Sequence, residues 1–467
     1  MSLAVRPSRK GPLRLDFVPE ILRPLIRAYL LGYATAVGPR LLTLILQHVM
    51  GKRRKQLSPD QEDGSFVKSA KHIVRMGFNP QRFPTFCAVL AGGSTLLQEP
   101  LKSIIDKAAA SLSNAARLRL ARWISTFIAA WYGLRILHSY ESRAYTETIP
   151  QKKDSPSGTQ PQTIKFAGRT LDLTLFALSR ALDVVLGDLW ARRRARRQAA
   201  CKWTNTEQSI SRLIDPLVFS ASTGLIMWAW FYFPETLPRS YNKWITSAAA
   251  VDMRLIEALR RCRKGEFQYG KDTGQTPLLE PMCADFNFPL EWADPSRTIP
   301  IPCDMVHMGC GPSCEYHTIS RFFHTWKWSM ATYFPLTLSL ALRNPSRKAV
   351  LRAFTSACRS AAFLSTVITL FYYGVCLSRT RIGPRLLGTS LSCRQRIDSG
   401  LRRKDISLFV APRAMATLLP RRYPLEKQWR ETLVFAASTA IVFTCVKENP
   451  DRVRGVFGRL LKMVMKT

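Results

Sequence analysis

Apolar runs of 12 to 19 residues recur along the chain, separated by short basic or Pro/Ser-rich stretches. Phe83–Leu97 is uncharged and closes on Gln98-Glu99-Pro100; Trp123–Leu134 is apolar, its helix extending to Leu137 past Arg135. Phe166–Leu189 reads as a helix with Arg169, Asp172, Arg180, Asp183 and Asp188 set in it. Pro216–Pro234 and Ser360–Ser378 each hold 19 uncharged residues, enough for one membrane crossing. Trp328–Leu342, Ile406–Leu419 and Thr432–Val446 are shorter, and short helices rich in Gly, Ala, Ser and Thr still cross when they pack closely and the bilayer thins. Ahead of them, Phe17–Met50 predicts one or two helices broken near Pro24 and Pro39. Its apolar residues fall at helical spacing, and Arg23, Arg27 and Arg40 favour a surface-lying amphipathic helix.

Part of this pattern is written twice. Leu217-Val-Phe-Ser-Ala-Ser-Thr223 returns as Leu433-Val-Phe-Ala-Ala-Ser-Thr439, and Leu175-Phe176 with Arg180-Ala181 returns as Leu408-Phe409 with Arg413-Ala414. Upstream, a run ending at Pro100 matches another ending at Pro345. Three landmarks in one order point to a duplicated unit. The expected fold is therefore an all-α integral membrane protein: two pseudo-repeats of three to four short transmembrane helices. The expected divisions are an N-terminal amphipathic helix and linker (1–65), a first membrane repeat (66–263), a Cys/His-rich insert (264–320) and a second membrane repeat (321–467).

Charge sharpens the picture. Lys+Arg 69 against Asp+Glu 32 gives +37, which calls for an anionic neighbour, either nucleic acid or a lipid surface. The basic clusters (Lys52–Lys55, Arg117–Arg122, Arg192–Arg197, Arg254–Lys264, Arg343–Arg352, Arg394–Lys404) sit at the ends of apolar runs rather than in one arm. That placement fits helix ends facing anionic headgroups, so the bilayer is the expected partner and nucleic acid is not. The same runs also fit solvated flanks that carry topology alone. Orientation stays open because flanks on both sides are basic. A soluble, basic, RNA-associated helical protein is the remaining rival.

Eleven cysteines over this length are no secreted disulfide framework, and a reducing, intracellular setting is expected. Cys303, His307, Cys310, Cys314 and His317 fall within 15 residues, and thiolate and imidazole are the ligands zinc prefers. Structural zinc, a packed reduced loop and a thiol switch are all compatible with this spacing, which matches no standard finger or knuckle; no other cofactor is expected. Ser125, Ala129 and Gly133 lie four apart and strip one helix face to small side chains, with Thr366 and Gly374 a looser counterpart in the second repeat. Arg180 and Arg413, at matched repeat positions, would be costly in lipid; Asp183 is placed to pair with Arg180 one turn away. They line a polar groove, snorkel to headgroups or close an ion pair. No phosphate loop, dinucleotide fingerprint, zincin or nucleophile-elbow motif is present, so catalysis is unsupported and no enzyme is expected.

Gly93-Ser-Thr-Leu-Leu-Gln-Glu99, Leu120-Ala-Arg122, Tyr132–Ser139, Leu178-Ser-Arg180 and Leu225–Phe231 together resemble the mitochondrial inner-membrane import translocase family that also holds peroxisomal membrane protein 4. The insert, with Cys303, ten residues, then Cys314 closing a Pro312-Ser313-Cys314 end, resembles transmembrane protein 135, and so does the second repeat. These likenesses run from about residue 66 onward. They imply a multi-pass protein of the peroxisomal membrane, acting in membrane organisation or in solute or lipid transport, and the basic runs would then also fit recognition by the import receptor for peroxisomal membrane proteins. They equally admit a mitochondrial inner-membrane relative in protein import or organelle dynamics. They favour helix packing through the small-residue faces, and they leave self-association open. The family pattern has a further Gly-rich apolar segment before Leu408 that is not seen here.

Overall fold

The computed structural model describes residues 18–55, 66–140, 142, 145–148, 163–299, 301–341, 346–377 and 410–465. The Arg394–Lys404 cluster, the Leu408-Phe409 pair and residues 56–65 of the linker expected at 51–66 lie outside these residues, while 51–55 continue the first helix and Phe66 opens the next. The chain is mostly helical, as the periodicity predicts, and it forms two compact units. One comprises Met1–Thr204 with Pro420–Thr467, the other Asn205–Leu419.

In the first unit, α1 (Arg23–Lys55) runs unbroken for 33 residues with Pro39 inside it and Pro24 at its start. This corrects the expected break. Pro24 is tolerated because the first turn has no hydrogen bond to lose, and the stretch from Ala28 to Pro39 is free of charge. At 1.5 Å per residue α1 is about 50 Å long, and Glu20–Ile45 is long and apolar enough to cross a membrane rather than only lie on it. Next come α2 (Phe66–Gly77), α3 (Phe83–Leu96), α4 (Gln98–Ala108) and α5 (Asn114–His138), whose first turn is capped by the Ser113 hydroxyl accepting from Ala116 N. After β1 (Thr146–Thr148) and β2 (Thr163–Ala167) the chain enters α6 (Leu171–Ala199). The C-terminal β3 (Tyr423–Pro424), α15 (Gln428–Glu448) and α16 (Gly455–Met465) complete this unit.

The three strands make a small antiparallel sheet in the order β1-β2-β3, which helical periodicity did not predict. Gly168 follows β2 with φ +112°, and a Cβ there would lie 2.2 Å from the Arg421 carbonyl oxygen. Only glycine fits that turn. The core is assembled by α15 against α5 and α6: Phe86, Ala130, Leu134, Leu137, Phe435 and Ala436 pack as one cluster. Ala181 and Val184 of α6 join Val442, Phe443 and Val446 of α15 in another.

The second unit holds α7 (Asn205–Tyr232), α8 (Arg239–Ala249), α9 (Met253–Lys264), α10 (Glu280–Asp285), α11 (Cys303–Val306), α12 (Cys314–Ala341), α13 (Arg347–Leu377) and α14 (410–417). The insert expected at 264–320 folds around a core of its own: Leu279, Met282, Cys283, Ala293 and Met305 are wholly buried. α12 and α13 pack against each other, Phe334 meeting Phe354 with ring centroids 5.9 Å apart. Trp230 of α7, 1% exposed, donates its indole N–H to the Thr246 hydroxyl of α8 at 3.1 Å.

These units do not follow the linear blocks read from the sequence. Leu217–Thr223 lies in α7 of the second unit, and its counterpart Leu433–Thr439 lies in α15 of the first. The reason is packing: Phe435 sits against Phe86 with ring centroids 5.8 Å apart, while Phe219 meets Phe363 of α13, also at 5.8 Å.

Four helical stretches are long and apolar enough to span a membrane: Glu20–Ile45, Asn205–Tyr232, Arg347–Leu377 and Leu425–Glu448. In the first three, less than a third of the apolar window is buried within the protein. Leu217 and Leu351 are 57% and 63% exposed, so these helices turn apolar surface outward.

Candidate metal centre

The Cys/His cluster is built by two short helical turns and the loop that joins them. Cys303 opens α11, and His307, four residues on, caps it through a backbone hydrogen bond to the Cys303 carbonyl at 2.7 Å. Met308, Gly309 and Gly311 then take positive φ values of 53°, 78° and 91°, which folds the chain sharply back. Ser313 Oγ accepts from Tyr316 N at 3.2 Å and starts α12, whose first turn carries Cys314 and His317. Spacings of four and three place each Cys/His pair on one face of its own turn.

The outcome is a convergence: one ligand atom from each of Cys303, His307 and Cys314 lies within 4.8 Å of the other two. His307 is 2% exposed, and its Nδ1 is 2.8 Å from the Gly311 carbonyl oxygen. With the N–H donated there, Nε2 keeps its lone pair, the orientation that metal-bound imidazoles use. His317 is also 2% exposed, and its ring stacks on that of His307 at 4.3 Å. Neither nitrogen of His317 has a hydrogen-bond partner among the described residues. Burial, then the neighbouring His307 and Arg321, lower its pKa to about 4, so the imidazole is neutral near pH 7.

Cys310 and His317, predicted with the other three, are not among the converging residues. Cys283 lies instead in the apolar core of the insert, where burial raises its thiol pKa. A residue that local spacing could not reveal is Cys376 of α13, buried, with Sγ 3.5 Å from His307 Nε2.

Ser125, Ala129 and Gly133 of α5 are buried, in a row that continues through Ala121 and Leu137 at steps of four. A Cβ at Gly93 would sit 2.8 Å from that of Ala129, and one at Gly133 would meet Phe86 at 3.3 Å, so α3 and α5 approach through small side chains. On α13 the buried row is Ala353, Ala357, Ala361, Ser365 and Thr369. Thr366 is one residue, about 100° of helix rotation, out of phase with it. A Cβ at Gly374 meets no atom of the described residues within 4 Å.

Arg180 is buried over the rings of Phe176 and Phe457, at 5.1 and 5.6 Å, with Nη1 3.5 Å from the Arg454 carbonyl oxygen. Asp183 faces Arg454 at 3.9 Å. Arg413 lies over the Tyr241 ring at 5.3 Å. Arg180 and Arg413 therefore each have an aromatic ring against the guanidinium, one in each unit.

A further polar cluster escaped sequence reading. Glu431, 6% exposed in the first turn of α15, accepts from the hydroxyls of Thr170, Thr174 (3.2 Å) and Tyr423. Thr170 Oγ1 is also 2.8 Å from His138 Nε2. Burial, together with the Glu431 carboxylate, pushes the Tyr423 phenol well above its usual value. The cluster ties the start of α6 and the sheet to the start of α15. No family model, curated protein or solved structure matches this chain.

Proposed function

We propose that this chain is a multi-pass protein of the peroxisomal membrane, with a role in organising that membrane or moving a lipid or solute across it rather than in catalysis. The observation that carries this reading is α13. One side of it is a buried row of small residues, and its remaining apolar surface, with Leu351 and Phe354 63% and 45% exposed, faces outward. At roughly 25 cal/mol per Å2 such surface is costly in water and costs nothing against acyl chains. Arg180 and Arg413, each covered by rings, are suited to a low-dielectric setting.

The duplication read from the sequence belongs to the same proposal. Two ancestral sets of helices have exchanged their last member, α7 completing the second unit and α15 the first. The basic helix ends, such as Arg192–Arg197 of α6 beside Trp190 and Trp203, would meet anionic headgroups, with the tryptophans at the interface. Carbonate extraction is the first test: the protein stays in the pellet, and release into the supernatant refutes the membrane reading. Colocalisation with a peroxisomal matrix marker, lost in cells without the membrane-protein import receptor, supports the organelle. Colocalisation with a mitochondrial inner-membrane marker overturns it.

A further inference from the structure

The geometry points to a structural zinc site held by Cys303, His307 and Cys314, with the buried His317, its ring now stacked on that of His307 at 4.3 Å, turning to supply the fourth ligand; the ion pins the insert to the start of α12. Three of these residues already bring a ligand atom each within 4.8 Å of the others. Two observations beyond that convergence point to a ligand. His307 is oriented by the Gly311 carbonyl in the way a coordinating imidazole is held from behind. His317 is buried with both nitrogens lacking a described partner, a costly arrangement that a metal bond relieves.

The donor set selects the ion. Two thiolates and two neutral imidazoles suit tetrahedral Zn2+, and two negative charges cancel the two positive ones, so the filled site is neutral overall and compatible with burial. Binding releases the two thiol protons to solvent and leaves the oxidation state of every atom unchanged. The Cys376 thiol, 3.5 Å from His307 Nε2, occupies the direction from which the ion would approach that nitrogen. Loading therefore displaces a thiol contact rather than opening new space.

The role follows from the two elements joined. α11 is one turn long and could not hold its own conformation in isolation. The loop behind it contains three residues of positive φ. An ion bridging α11 and the first turn of α12 fixes that loop. The inference does not depend on which membrane holds the protein.

The test uses the full-length protein purified in detergent from zinc-supplemented cells without affinity metals. Metal analysis should find about one zinc per chain, falling at least fivefold in the Cys303→Ser/Cys314→Ser double variant and unchanged in Cys310→Ser. Cobalt exchanged into the wild type should give thiolate-to-cobalt charge-transfer bands, with tetrahedral d–d bands that shift in His317→Gln. Those cobalt spectra need only the site and so separate loss of metal from loss of fold. Zinc below about 0.2 per chain in the wild type overturns the site, and so does equal zinc in the double variant. A d–d spectrum unmoved by His317→Gln but altered by Cys376→Ser overturns the ligand set. Carbonate extraction of the same variants reads the membrane proposal separately.

Discussion

Replacing Gly93 by alanine probes the packing on which the first unit rests. The new methyl carbon would lie 2.8 Å from the Ala129 Cβ, where 3.5–4.0 Å is the comfortable separation, so α3 and α5 must part by roughly 1 Å. A gap of that size forfeits about a quarter to a half of each dispersion contact along the seam, and overpacking of this kind costs about 1–3 kcal/mol. Glycine to alanine in a helix also gains about 1 kcal/mol of propensity, which would blur a single measurement. Gly374→Ala supplies the reference: it is helical too, and its methyl meets no described atom within 4 Å. The propensity gain cancels in the comparison, leaving the clash. Gly93→Ala should therefore melt below Gly374→Ala by about 1–3 kcal/mol, or roughly 2–12 °C at 2–4 °C per kcal/mol. Size-exclusion of heated, detergent-solubilised protein measures it. If Gly93→Ala melts at or above Gly374→Ala, the close approach of α3 and α5 is not what holds this unit.

Phe435→Ala removes a ring 2% exposed at the centre of the first core and should cost about 3–5 kcal/mol in the same assay, whereas alanine at the exposed Leu217 should cost less than about 0.5 kcal/mol. Glu431→Gln leaves one carbonyl oxygen for three hydroxyl donors; thermal unfolding should show a loss of about 1–3 kcal/mol, and limited proteolysis should show earlier cleavage near β3. His138, half-buried beside Arg169 and Arg135, has its pKa lowered by that burial and by the two arginines to about 4, below the unfolded value of 6.5. The unfolded chain therefore binds that proton first. Stability from this group is intact above pH 6.5 and falls towards pH 4, by up to about 1.4 kcal/mol per unit. Unfolding curves at pH 7.5 and 5 should differ less in His138→Gln than in the wild type.

The helical class and most long helices were legible because burial on one side of a helix imposes a period that the residues display. The α5 row was legible for the same reason: Ser125, Ala129 and Gly133 lie inside an uncharged run. The α13 row was not. Its first members, Ala353 and Ala357, lie among Arg347, Arg352 and Arg359, and a search for uncharged windows starts too late to see them. Thr366 and Gly374 were selected in the wrong phase. The converging Cys303, His307 and Cys314 were readable from local spacing because two successive turns carry them. Cys376 was not, since its approach depends on how α13 folds back. The Glu431 cluster joins residues from α5, α6, β3 and α15, and such long-range pairing leaves no periodic trace. Neither does the assignment of α15 to the first unit, which depends on Phe435 meeting Phe86.

That assignment has a consequence for biosynthesis. The groove on α5 and α6 that receives Phe435, Phe443 and Val446 is exposed on a nascent chain until translation has passed Val446. The second unit, contiguous in sequence, can close while the first still waits. A ribosome-bound chain would thus present an unfilled apolar cleft for as long as residues 205–419 are being made, and a holdase would have that whole interval in which to shield it.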